Sequence, residues 1–336
     1  MKDRKFPLRV LVLCAVVALA LGLSSWGFLV HRTLHQVAVY QLPNEIQPFF
    51  WRHMDYLVNN AARPDVRRNS DSTEATKHFI DLEAYGPDAA HKMPLDWNKA
   101  QAKYQRDSLL KYGYVPYHIV LMMDQLTGAF RQQKADSILF YAADLGHYIG
   151  DANVPLHTTL NYDGQLTNQK GLHSLWESFI PEIEIETYQL NSGHQARYLR
   201  NPAKQVWQQI RAAHALVPSM LALETKVSAG FTDAEKYRVQ VRRGVETKQY
   251  TLAFAKAYAA ALKPSINQQL LASANLIADC WYTAWVNAGK PALNLQGWTT
   301  EKAAVWEKEK SAYQKNTLIQ EGLLLAKKPS ENKPTE

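Results

Sequence analysis

His147-Tyr148-Ile149-Gly150-Asp151-Ala152-Asn153-Val154-Pro155-Leu156-His157 is the most informative stretch of the chain. His147 and Asp151 are four residues apart, so a helix puts both on one face. Pro155 orders the turn that presents His157. A little further on, Gly171-Leu172-His173-Ser174-Leu175-Trp176-Glu177 repeats the pattern, with His173 and Glu177 again four apart. Two imidazole–carboxylate pairs with a further imidazole between them suit zinc, which accepts imidazole nitrogen and carboxylate oxygen. Zinc sites without thiolate are usually catalytic. A surface His–acid contact would account for either pair alone. Both pairs inside residues 147–177, separated by Gly150, Pro155, Gly171 and Trp176, describe a shaped site.

The rest of the chain reads as helix. Apolar residues recur at spacings of three and four, predicting helices over 27–41, 44–60, 97–112, 117–132, 135–149, 171–188, 202–224, 232–262 (broken), 265–288 and 300–315. Asn201-Pro202 is a cap followed by proline in the first turn. Pro264-Ser265 opens one helix and Gly289 closes it. Tyr250, Phe254, Tyr258 and Leu262 share a helical face and read as core. No convincing alternating strand or internal repeat is found, so the expected fold class is all-α. Two polar loops, 62–77 and 152–170, adjoin the histidines and acids. Loops on a rigid scaffold are where chemistry tends to sit.

Composition narrows the function classes. The 336 residues are 46% hydrophobic and 21% charged, which excludes a disordered, collagen-like or coiled-coil chain. Only one long apolar run is present, which excludes a polytopic membrane protein. That run, Val10 to Leu21, follows Lys2, Arg4, Lys5 and Arg9 and precedes Gly22-Leu23-Ser24-Ser25. A basic head, a short apolar middle and small residues describe a secretory signal over 1–25, with an uncleaved anchor as the rival reading. Leu13 before Cys14 argues against lipidation. Removing residues 1–25 takes away four basic residues and one acid, leaving +4 over 311 residues. That balance is too mild to announce nucleic acid by itself. Cys280 is then the lone cysteine, so no internal disulfide is expected. The expected organisation is a signal over 1–25, one all-helical domain over 26–326 and a polar, disordered tail over 327–336. The exported product is placed in the periplasm or outside the cell.

With these residues assembled, the chain resembles the zinc-dependent phospholipase C and single-strand-specific (S-one/P-one) nuclease superfamily. That family builds a cluster of three zinc ions on a helical protein, and its mature chain begins with a tryptophan whose amine and carbonyl bind one of them. Trp26-Gly27-Phe28-Leu29-Val30-His31 stands directly after the expected cut, and His78-Phe79-Ile80-Asp81 fits a second family motif. Asp65, thirteen positions before His78, takes the place of a further aspartate ligand, with Asp71 as fallback. The resemblance implies three sites: Asp65, His78, His147 and Asp151 for the first zinc; His157, His173 and Glu177 for the second; Trp26, His31 and the other oxygen of Asp151 for the third. His35, His53, His91, His118, His194 and His214 read as polar or partly buried histidines. His35 lies one turn after His31. Tyr114 and Tyr117 read as packing.

The implied reaction is phosphodiester hydrolysis by zinc-bound hydroxide, with Asp151 bridging and Asp65 both binding metal and holding the attacking water. The free amine of Trp26 must lose its proton to bind zinc, so signal removal would complete the site. Two branches compete for the substrate. Phe79 and Asp81 resemble the nuclease branch, where the aromatic and the acid hold a nucleobase. Glu177 as last ligand and the sixteen-position interval from His157 to His173 resemble phospholipase C. The two are nearly tied, with phospholipid slightly ahead of single-stranded nucleic acid. No stable protein partner is implied. A non-catalytic, zinc-stabilised helical binding protein is the reading from a different class.

Overall fold

The computed structural model describes residues 28–242 and 245–327. The expected signal over 1–25, Trp26 and nearly all of the tail fall outside the described residues. The chain is mostly helical, 66%, and among the described residues the only sheet is two-stranded. This is the all-α class that the periodicity predicts. None of the described helices is long and apolar enough to cross a membrane.

Seven longer helices carry the architecture: α1 (Phe28–Tyr40), α2 (Val115–Arg131), α3 (Ala135–Ala152), α4 (Pro202–Ser228), α5 (Leu252–Leu262), α6 (Ser265–Asn287) and α7 (Thr300–Gln314). Pro116 sits in the first turn of α2 and Pro202 in that of α4, where a missing N–H costs nothing. The Asn201 side chain accepts from the Lys204 N–H and caps α4. α2 and α3 form a hairpin across the short turn between Arg131 and Ala135. α6 then packs on α1, α2 and α3, and α4 packs on α2 and α5.

α3 is the central element. From Ala142 to Ala152 every residue is buried, the mark of a helix enclosed on all sides. Its polar members, Asp144, His147 and Asp151, are therefore buried too, and each needs a partner. Aromatic packing fills the space beneath α6. Trp281 stacks on Phe50 with ring centroids 4.8 Å apart and donates its indole N–H to the Ala142 carbonyl at 3.1 Å. Cys280 is free and buried in the same layer.

The expectation of helix throughout fails at 232–262. After a capped turn at Asp233–Lys236, the chain forms an antiparallel hairpin, β1 (Tyr237–Arg242) against β2 (Val245–Tyr250). Tyr237 pairs with Tyr250 at its base and Val239 with Lys248 further out. The alternation Arg238-Val239-Gln240-Val241-Arg242 is a period of two. Val239 and Val241 are exposed, so no core burial reveals this strand. Tyr250 is buried as expected, but from a strand; Phe254, Tyr258 and Leu262 bury from α5. The expected helices at 44–60 and 97–112 are each split, at His53 and at Gln105. Gln105 is held at a φ of 63°, which no helix interior accommodates.

Candidate metal centre

α1 and α3 cross antiparallel and close together. Positions 146 and 150 of α3 are glycine, and a Cβ on either would run into α1: at Gly146 into the His35 ring, at Gly150 into His31, whose Nδ1 would lie 2.9 Å away. The absent side chains let the first turns of α1 bring His31 against the last turns of α3. His31 stacks on His147 with centroids 4.2 Å apart. His35 is turned away from this face; its nitrogens lie 2.7 Å from the His31 carbonyl and 2.9 Å from that of Ala143.

Four shorter elements converge on the same place. The helix Arg63–Arg67 carries Asp65. The single turn Ala75–Lys77 ends at His78. The turn Pro155–Thr158 carries His157. The segment Leu172–Phe179, whose second half widens into a π-turn, carries His173 and Glu177. π-turns inside α segments often mark functional sites.

The side chains form overlapping groups. His78, His147 and Asp151 make one; His157, His173 and Glu177 a second; His31, Asp151 and Glu177 a third; and His31, Asp65 and His147 overlap the first. In each group the candidate ligand atoms lie within 4.8 Å of one another. Asp151 spans the cluster: Oδ2 is 2.8 Å from His78 Nδ1 and 3.3 Å from His147 Nε2, while Oδ1 is 3.5 Å from His31 Nε2. Asp65 Oδ1 is 3.7 Å from His78 Nδ1 and 3.8 Å from His147 Nε2. Glu177 also spans: Oε2 is 2.6 Å from His173 and 3.4 Å from His157, and Oε1 is 3.6 Å from His31. The sequence reading gave Glu177 to one group only.

Two ring nitrogens of His157 and His173 face each other at 2.9 Å, and those of His147 and His78 at 3.1 Å. Imidazole nitrogens so close need a proton or a cation between them. The opposite nitrogens of two rings are already committed. His147 Nδ1–H donates to the Ala61 carbonyl and His157 Nδ1–H to that of His78, each at 2.9 Å. Such bonds fix the tautomer and leave Nε2 free to bind metal. The donor set, five imidazoles and three carboxylates without thiolate, fits zinc.

The charges respond to the crowding. Burial pushes the Asp151 and Glu177 carboxyls up, but the surrounding imidazoles outweigh it and hold both well below the ordinary carboxylate range. Burial lowers His78, but the Asp151 and Glu74 carboxylates on either side prevail and raise it to about 9. His147 and His157 are raised despite burial, chiefly by the Asp151 charge.

Of the sequence-derived candidates, His31, Asp65, His78, His147, Asp151, His157, His173 and Glu177 are brought together; Trp26 lies outside the described residues. Asp71, the fallback for Asp65, bonds to Thr73 and approaches Lys77 instead. Phe79 and Asp81 flank the cluster. Phe79 is half-buried and packs on Gly113, whose φ of 84° and lack of a Cβ admit it. The Asp81 carboxyl is pushed up to about 6 by burial and by Glu83, against a smaller pull from His157. Among the other histidines, His194 pairs with Asp279 at 2.8 Å and His214 with Thr158 at 3.0 Å. Tyr117 packs on Trp97 and Trp207 and donates to the Pro94 carbonyl.

Sequence reasoning missed Glu74. It is fully buried behind His78, four residues before it, the same spacing as the two pairs that were recognised. Arg63 and Arg67, either side of Asp65, both reach Asp144 on α3, at 2.7 and 2.9 Å.

Over residues 26–280 the sequence matches the S1/P1 nuclease family. No curated protein matches the chain. The chain thus belongs to the S1/P1 nuclease family, whose members are zinc-dependent phosphodiester hydrolases.

Proposed function

We propose that the protein is an exported nuclease that cleaves single-stranded nucleic acid with three zinc ions held by Trp26, His31, Asp65, His78, His147, Asp151, His157, His173 and Glu177. The observation that carries this reading is Asp151, whose two oxygens face different imidazole groups in one buried cluster. Family membership moves the substrate from phospholipid, the slight preference of the sequence alone, to nucleic acid. It also weighs against the non-catalytic reading. Export rests on the signal-like residues 1–25.

When bound, the ions supply hydroxide near neutral pH and neutralise the charge that grows on the phosphoryl oxygens. Asp151, almost wholly buried, holds the imidazoles of two groups in fixed relation. Asp65, with 31% of its side chain exposed against 2% for Asp151, is the carboxylate open to solvent. It orients the attacking water and accepts its proton. Phe79 offers a half-buried ring for stacking on a base. Asp81, half-buried with its carboxyl pushed up to about 6, receives a base N–H.

Phospholipase C keeps one specific support, the Glu177 ligand with its short interval from His157. The deciding experiment compares degradation of single-stranded DNA with release of a phosphorylated headgroup from phosphatidylcholine, each with and without chelator. Chelator-sensitive cleavage of DNA supports the proposal; turnover of the lipid alone overturns it.

A further inference from the structure

Behind the first group of ligands lies a buried charge network that the reaction as described does not use. Glu74 has no exposed surface. It receives Arg67 Nε at 3.0 Å, Arg67 Nη2 at 3.2 Å, Lys77 Nζ at 2.6 Å and the Tyr148 hydroxyl. Its Oε1 lies 3.4 Å from His78 Nε2. Burial pushes this carboxyl up, but the nearby His78 ring and the bonds from Arg67, Lys77 and Tyr148 outweigh burial and keep it ionised.

His78 shows what the carboxylate is for. Its Nδ1 faces the cluster, 2.8 Å from Asp151 and 3.1 Å from His147. Its Nε2 faces away and is buried without a formed hydrogen bond, and the Glu74 Oε1 lies 3.4 Å from it. The ring is flanked edge-on by His147 and Tyr148, with centroids 5.0 and 5.3 Å away. Unlike His147 and His157, which donate to backbone carbonyls, His78 has a carboxylate at its rear.

We propose that Glu74 is a positioning residue: its carboxylate holds His78 in the tautomer with the proton on Nε2, aiming the Nδ1 lone pair at the first metal site. A carboxylate behind a ligating imidazole also raises its basicity. The network fixes more than one ring. Arg67 ties Glu74 to Asp144 on α3, one turn before His147, and Arg67 shares its short helix with Asp65. Glu74 thereby sets the mutual placement of Asp65, His78 and His147. The inference rests on the zinc reading above.

The test is Glu74→Gln, which keeps the shape and one acceptor while removing the charge. Arg67 retains Asp144 and Lys77 retains Asp71, so the fold keeps partners for both cations. Competition against a chromophoric chelator should show one zinc bound about 10- to 100-fold more weakly and the others unchanged. Unchanged affinity at every site, with only a lower unfolding temperature, would overturn the proposal and leave Glu74 a structural ion pair. A second measurement needs no variant. In zinc-loaded wild-type protein, imidazole nitrogen NMR should show a proton on His78 Nε2 and none on Nδ1, while the metal-free ring, with a carboxylate on each side, carries a proton on both nitrogens near neutral pH; a proton on Nδ1 alone in either state overturns the assignment. Wild-type protein that takes up no zinc, yet shows the Nε2 proton, would sink the metal reading and leave the orientation of His78 standing.

Discussion

Gly150→Ala separates close packing at the metal centre from ordinary helix propensity. A glycine inside a helix costs up to about 1 kcal/mol relative to alanine, so propensity alone makes this substitution stabilising. The structure reverses the sign. The added Cβ would lie 2.9 Å from His31 Nδ1, 3.0 Å from His31 Cε1 and 3.0 Å from Leu34 Cδ1. Ordinary carbon contacts sit at about 3.5–4.0 Å, so His31 must retreat by roughly half an ångström. Overpacking of this kind costs about 1–3 kcal/mol, for a net loss of about 0–2 kcal/mol after the helix gain. The retreat also exceeds the ~0.2 Å that metal–ligand distances tolerate, so the zinc that uses His31 should be lost or weakened. Gly128→Ala is the control, since a Cβ there meets nothing within 4 Å; it should stabilise by about 0.5–1 kcal/mol. Urea unfolding of the metal-free variants and zinc counting of the loaded ones read both effects. Equal stabilisation by the two substitutions, with full zinc content in Gly150→Ala, would refute the packing argument.

Other consequences concern pH, reactivity and substrate. In the metal-free protein His78 is raised from 6.5 to about 9, while Asp151 and Glu177 are lowered from 3.8 and 4.5. The carboxylates stabilise the fold above their unfolded values and the imidazoliums below 6.5, so this contribution peaks between those limits and is lost as pH rises toward about 9. Zinc needs the unprotonated rings, so the melting-temperature gap between loaded and metal-free protein should widen from about pH 5.5 to about pH 8.5; a constant or narrowing gap contradicts this. Cys280 is fully buried and its thiol is pushed up by burial and then by Asp279, so thiol reagents should label it only after denaturant. Phe79→Ala should weaken oligonucleotide binding by about 1–3 kcal/mol, roughly 5- to 150-fold in KM, if a base stacks there. Hydrolysis of a bis-aryl phosphodiester by the same variant should stay near wild type; parallel losses would remove the base-stacking role.

The parts of this fold that sequence reveals are those written in local spacing. His147–Asp151 and His173–Glu177 are one-turn pairs, legible because a helix fixes where residues four apart point. Gly150 stood out as part of a shaped site, but its reason, contact with His31 of α1, exists only in the crossing of two distant helices. Glu74 carries the same four-residue signal toward His78, yet it lies in a polar loop where no helix was expected. Its importance comes from Arg67 and Tyr148, which tertiary structure delivers. The hairpin at 237–250 was missed for the opposite reason. Its alternation is visible in the sequence, but the valines face solvent, and a search keyed to burial reads through them into the helices on either side. Asp65, thirteen positions before His78, lay near the required distance, and Asp71, seven before it, was the fallback; the short helix Arg63–Arg67 and its anchoring to Asp144 bring only the first inward.

The most direct measurement is anomalous diffraction at the zinc edge from crystals of exported protein with its natural amino terminus. Three peaks are expected: one among Asp65, His78, His147 and Asp151, one among His157, His173 and Glu177, and one beside His31 and the second oxygen of Asp151. Crystals soaked in zinc that show no peak within this cluster would contradict it.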